Sequence, residues 1–274
     1  MMVAIDIGNT SIHVGVFSGR TLRRSFSLPT TKARPAASGH GIFARLSRRQ
    51  KADLSRARQA LVCSVVPWAT PAVVRALRQA GCPRVRVVGR DLRVPLKNRY
   101  HYPRQVGQDR LVGAYAAWRM FGDRAHRGRP GGRSPERARQ RESRDCIVVD
   151  LGTAITIDLV TRHGEYLGGV IAPGLDISLE ALAARTALLP KVSLRQPPEL
   201  LGRDTANSIR SGILYGYAAL CDGLVSRLKR RYTPKALVVA TGGSSSLLAR
   251  HARTIDLLKP HLVLEGLSRL SVRR

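Results

Sequence analysis

Most of the usual phosphate and hydrolase signatures are missing from this sequence. There is no GxxxxGK[ST] run, which excludes a P-loop cradle, and no GxGxxG after a strand, which excludes a dinucleotide turn. The HRD and DFG elements of protein kinases are absent, as are HExxH and the GxSxG nucleophile elbow. Any phosphate chemistry here needs another architecture.

Other shortages narrow the class. No apolar run approaches the roughly 18–20 residues that span a bilayer. A strand-like run, Met2–Ile5, opens the sequence with no basic segment ahead of it, and a cytoplasmic protein without membrane attachment is expected. The cysteines, Cys63, Cys82, Cys146 and Cys221, are far apart and show no zinc spacing, so they read as buried small hydrophobes. Acids are scarce: 18 Asp and Glu face 47 Lys and Arg, a net charge of +29. Such a field draws polyanions, so nucleic acid is a possible but secondary partner. The arginines are spread along the chain, with one dense run at Gly122–Asp145 that reads as an exposed insert, and a second basic stretch at Arg34–Arg58.

What is present is a repeated design. Val3–Phe17 and Cys146–Val160 are β-branched runs, each broken by Asp-x-Gly and a small polar residue, at Asp6-Gly8-Asn9 and Asp150-Gly152-Thr153. Each reads as a hairpin. A third apolar run, Ala236–Gly243, ends in Thr241-Gly242-Gly243 before a helix-like segment. A motif repeated half a chain apart suggests two similar α/β domains, placed at residues 1–115 and 116–274. Helical spacing predicts helices over Asp109–Phe121, Ile177–Leu189 and Ala206–Tyr232.

The Asp-x-Gly turns suit phosphate. Gly8 lets the backbone approach a ligand closely. Asn9, Thr10 and Ser11 then offer N–H and hydroxyl donors, and Asp6 can hold Mg²⁺ or its waters.

The two turns together resemble the phosphate motifs of the acetate and sugar kinase, heat-shock ATPase and actin superfamily, and Thr241-Gly242-Gly243 resembles its adenosine motif. Within it, the sequence resembles type III pantothenate kinases. The resemblance rests on Asp6–Thr10, Tyr100–Pro103 with Gly107-Gln108-Asp109-Arg110, Asp150–Asp158, Gly168–Leu175, Arg185-Thr186 and Thr205–Gly212. It implies two actin-like (ribonuclease H-like) domains with an ATP cleft between them, and phosphorylation of pantothenate by ATP with Mg²⁺ and a monovalent cation, K⁺ or NH4⁺. By the same resemblance Asp109 is the general base, and Asp6, Ile7, Gly8, Asn9, Thr10, Ser11 and Thr153 bind the nucleotide. Tyr100, Gly107, Gln108, Arg110 and Thr186 meet pantothenate, with Tyr102 a rival for Tyr100. Asp150 holds the monovalent cation, Asp6 the Mg²⁺, and Thr186 acts across a homodimer interface. Gln108 departs from the small residue common in the family and is expected to narrow the pocket, and the Gly122–Asp145 insert has no counterpart in the family pattern.

Overall fold

A computed structural model describes residues 1–30, 46–122 and 143–271. The Gly122–Asp145 insert and the start of the Arg34–Arg58 stretch lie mainly outside the described residues. The chain forms two compact units. The first takes residues 1–96, 102–116 and 262 onward; the second takes 97–101 and 117–261. The chain therefore crosses at Ala116/Ala117, beside the boundary expected at 115/116, and also at 96/97, 101/102 and 261/262.

The first unit is built on a five-stranded sheet. Strands β1 (Met2–Ile7), β2 (Ser11–Ser18) and β3 (Thr21–Pro29) form an antiparallel meander, and β4 (Gln59–Ser64) and β5 (Val85–Val87) add in parallel to give the order β3-β2-β1-β4-β5. Central β1 is buried along nearly its whole length, as its apolar run Met2–Ile5 requires. The pleat sends Ile5, Val14 and Val62, which are paired across three strands, to one face. There they meet Val73, Ala76 and Leu77 of helix α2 (Thr70–Gln79); helix α1 (Arg48–Ser55) adds Leu54 to the same core. The opposite face carries the small residues Ala4 and Gly15, which are partners in the ladder. A Cβ on Gly15 would stand 3.1 Å from Leu264, so the glycine lets helix α7 (Leu262–Ser271) close on the sheet.

The second unit repeats this plan. Strands β7 (Cys146–Leu151), β8 (Ala154–Val160) and β9 (Glu165–Pro173) form the meander, and β10 (Leu237–Thr241) and β11 (Leu257–Leu258) extend it in parallel. The order is β11-β10-β7-β8-β9-β6, with the two-residue strand β6 (Lys97–Asn98) added at the β9 edge. Ile147, Val149 and Leu151 pack with Ile209, Ile213, Cys221 and Val225 of the long helix α5 (Thr205–Tyr232). This helix matches the expected Ala206–Tyr232 within a residue. The Asp204 side chain starts it by accepting from Asn207 N at 2.8 Å.

Both meanders carry an irregularity at the same place, between Val16 and Phe17 in β2 and between Leu159 and Val160 in β8. A bulge is a built feature, so its recurrence supports a duplicated unit more strongly than the motif alone. Two helices differ from expectation. Helix α4 (Leu175–Arg185) stops before Leu189 because Thr186 is already extended. The segment after Gly243 gives only the single turn α6 (Ser245–Leu248).

Candidate functional site

In the first unit, the turn after β1 is fixed by hydrogen bonds from both sides. Gly8 N donates to Ser11 O at 3.0 Å. Thr30, just past β3, donates from its hydroxyl to Gly8 O at 2.8 Å and from its N–H to Thr10 O at 2.9 Å. Ile7 is buried in the core, Asn9 and Thr10 are exposed at the tip, and Asp6 is half-buried with Oδ1 out of contact with solvent. Thr30 was not identified from sequence. It reaches the turn from the third strand, and no local pattern marks it.

Helix α3 (Gln108–Ala117) brings the second set into the same unit. Gly107 O accepts from Leu111 N, which makes Gly107 the residue that opens the helix. A Cβ on Gly107 would collide with Asp109 Oδ1, so only glycine leaves that carboxylate its position. Asp109 Oδ1 accepts from Arg110 N at 2.7 Å in the positively polarised first turn. Cys63 ties the two sets together: it lies opposite Asp6 in the β1–β4 ladder and is fully buried. Burial first, then the Asp6 and Asp109 carboxylates, push its thiol well above the usual range. Two carboxylates, a donor-rich turn and an arginine thus belong to one unit. The Gln108 side chain covers Gly89, where a Cβ would stand 2.9 Å from Gln108 Cδ.

In the second unit the matching turn is gripped by glycines. Gly242 has φ +92°, and a Cβ there would stand 2.5 Å from Asp150 Oδ1 and 2.7 Å from Leu151 N. Gly174 N donates to Thr153 O at 3.1 Å, and a Cβ on Gly174 would collide with Thr153 O and Gly152 O. Ser244 N closes the third side by donating to Leu151 O at 3.1 Å. Thr153 is half-buried and Gly152 exposed, so the backbone between them faces outward.

Tyr100 and Thr186 occupy the second unit's β9 edge and the far end of α4. Tyr100 is half-buried, its N–H donates to Asn98 Oδ1 at 3.0 Å, and its ring covers Gly168, where a Cβ would stand 3.3 Å away. Glu165 clamps this edge through Arg99 at 2.7 Å and Lys97 at 3.3 Å, and these partners hold its carboxyl below the usual range, Arg99 first. Tyr102 is 68% exposed and belongs to the first unit. Thr186 is exposed, with its hydroxyl donating to Leu182 O. It ends an 11-residue helix, about 16 Å from the Gly174 end that touches the phosphate turn. Within its own unit, Thr186 is not brought to that turn.

Among the described residues no group of three or more His, Cys, Asp or Glu could hold a metal ion. The first unit offers Asp6 beside its turn with Asp109 in the same unit, and the second offers Asp150 beside its own turn. That fits Mg²⁺, which keeps several waters and takes one or two carboxylates together with substrate phosphates.

The sequence model of type III pantothenate kinases matches residues 2–126 and 136–227. The chain is 40% identical over 273 residues to type III pantothenate kinase 1 of Symbiobacterium thermophilum, covering 97% of this chain and 94% of that one. It is 35% identical over 267 residues to the type III pantothenate kinase of Moorella thermoacetica, covering 97% of each. Among solved structures it resembles a protein from Campylobacter jejuni described as a Baf family transcriptional activator, with TM-score 0.53 and 18% identity over 98% of this chain and 96% of that one. A protein from Sinorhizobium meliloti described as a 2-dehydro-3-deoxygalactonokinase gives TM-score 0.52 and 13% identity over 99% and 98%. These distant likenesses speak to the fold, which is the two-domain actin-like one. The sequence likeness spans nearly the whole chain, and on it the chain belongs to the type III pantothenate kinase family.

Proposed function

We propose that this chain transfers the γ-phosphoryl group of ATP to the primary hydroxyl of pantothenate, giving 4′-phosphopantothenate, the first step toward coenzyme A. The family match carries the substrate. The observation that carries the chemistry is the placing of both carboxylates at the end of one sheet: Asp6 lies opposite Cys63, and Gly107, two residues ahead of Asp109, stands against Val65, whose N–H donates to Ile7 O at 3.1 Å. Phosphoryl transfer runs through a loose transition state, so positioning and charge stabilisation matter more than a strong base. Asp109 orients the hydroxyl and takes its proton late. The Arg110 guanidinium is suited to pair with the pantothenate carboxylate, Tyr100 lies against the substrate, and Gly107 keeps Asp109 in place. Gly8, Asn9, Thr10, Ser11 and Thr153 donate to phosphate oxygens.

Asp6 would hold Mg²⁺ directly or through water, and Asp150 would hold a monovalent cation, K⁺ or NH4⁺. When bound, these cations would supply positive charge to neutralise the phosphates. A homodimer is part of this reading. Thr186 lies a helix length from its own turn, and nearby Leu188 is 92% exposed, so a second copy that covers this end would put Thr186 to use. The setting is the cytoplasm.

The test is ADP release by the purified chain in K⁺ and Mg²⁺, with and without pantothenate. Turnover that depends on pantothenate is expected. Turnover independent of pantothenate, or none with an otherwise folded protein, refutes the reading.

A further inference from the structure

The second unit holds a cavity of about 460 Å³ at the end of its sheet away from the phosphate turn. It lies where β7 and β10 begin, whereas the turn follows the end of β7. Five residue steps along β7 separate the two, about 17 Å. The cavity is within the range of about 300–1,000 Å³ typical of small-molecule sites.

Its walls are basic. Arg144, Arg162, Lys229 and Lys235 line it, against two carboxylates, Asp145 and Asp256, so four positive and two negative groups leave an excess of +2. The carboxylates are already used to build the floor. Asp145 Oδ1 accepts from Arg162 N at 2.8 Å and Oδ2 from the Thr233 hydroxyl at 2.7 Å. Asp256 Oδ2 accepts from Val238 N at 2.8 Å and lies 3.7 Å from Lys229 Nζ. Basic residues in the last turn of α5 complement that helix's negative end, which accounts for Lys229. Arg144, Arg162, whose Nε donates to His163 Nε2 at 3.2 Å, and Lys235 add to the same wall from three other segments of chain.

We propose that this basin is a second anion site, separate from the 152–154 turn of its own unit, which takes a phosphorylated small molecule by its phosphate dianion. The excess of two positive charges matches one phosphate dianion, and the cavity has room for the rest of a small metabolite. A concave site favours a small ligand over a polymer backbone.

The test is calorimetric titration of the full chain with inorganic phosphate while a non-hydrolysable ATP analogue saturates the nucleotide turns. Phosphate binding should persist under saturation. Lys235→Glu should weaken it by at least about tenfold, since it removes one charge-assisted hydrogen bond and takes the excess charge from +2 to zero, and leave kcat and KM for ATP and pantothenate unchanged. Arg162→Glu, with circular dichroism to confirm folding, is the second variant and should do the same. Displacement of phosphate by the analogue, or normal affinity in both variants, overturns the proposal. So does binding of a short single-stranded oligonucleotide, but not phosphate, in a Lys235-dependent manner, which would make this face a nucleic-acid surface instead.

Discussion

The two units share one plan and use it differently. Each sets an Asp at the end of its first strand, follows it with a glycine turn, and skips one residue of its third strand, Arg23 or Leu167, at the same point of the ladder. The loop between the last ladder pairs is residues 8–11 in the first unit, between Ile7 and Ile12, and residues 152–154 in the second, between Leu151 and Ile155. The longer turn is held by the Thr30 side chain and backbone; the shorter one is held by backbone packed against Gly174 and Gly242. Beyond the turns the units part. The first gathers Asp6, Asp109 and Cys63, and the second surrounds Asp150 with glycine. The shared scaffold thus carries different neighbours beside its turn, carboxylates and a buried thiol in the first unit and close-packed glycine backbone in the second.

The sharpest way to break this division is Asp109→Asn. It should lower kcat for pantothenate-dependent ADP formation by about 10²–10⁴-fold, the scale of a positioned acid or base, with an unchanged Tm. An equal loss in Tm would make Asp109 a structural helix cap. Next comes a matched pair. Asp6→Asn should cut kcat by about 10²-fold, on the scale of one lost electrostatic contact at the transition state. Asp150→Asn should instead raise KM for ATP and blunt the response to K⁺. Identical kinetic profiles would mean that the two turns are interchangeable.

A smaller effect is expected at Gly242. Ala there meets Asp150 and a backbone at φ +92°, and should cost about 1–3 kcal/mol of stability, read as a lower Tm. Gly243→Ala is the control, since nothing lies within 4 Å of its Cβ position. The smallest effect concerns Glu165. Its carboxyl is held below the ordinary range by Arg99 and Lys97, so the stabilisation is present above that range, about 4.3, and is lost as pH falls through the lowered value. In wild type the KM for pantothenate should rise in acid as the Tyr100 edge loosens. Glu165→Gln should flatten that dependence.

Much of this was legible before the structure. The hairpins announce themselves because period-two apolar runs and Asp-x-Gly turns are local signals, and α5 does so through its helical spacing. What stayed hidden depends on distant contacts. Thr30 acts on a turn that precedes it by two strands, and Gln108 is turned toward Gly89 by packing. Leu188 and Leu189 have helix-compatible identities, yet the chain is already extended at Thr186 ahead of Pro190. The return of α7 to the first unit leaves no mark on the sequence either, since an amphipathic helix does not name its partner.

That return has a consequence for how the protein is made. Leu262, Val263, Leu264, Leu267 and Leu270 are buried, and Leu264 closes on the sheet that begins at Met2. Ribosomes add these residues only after residues 117–261 of the second unit have been synthesised. Domains commonly fold as units, the N-terminal one first during synthesis. Here the first unit to be translated is the last to be completed, and β1 waits with one face uncovered until the final helix arrives.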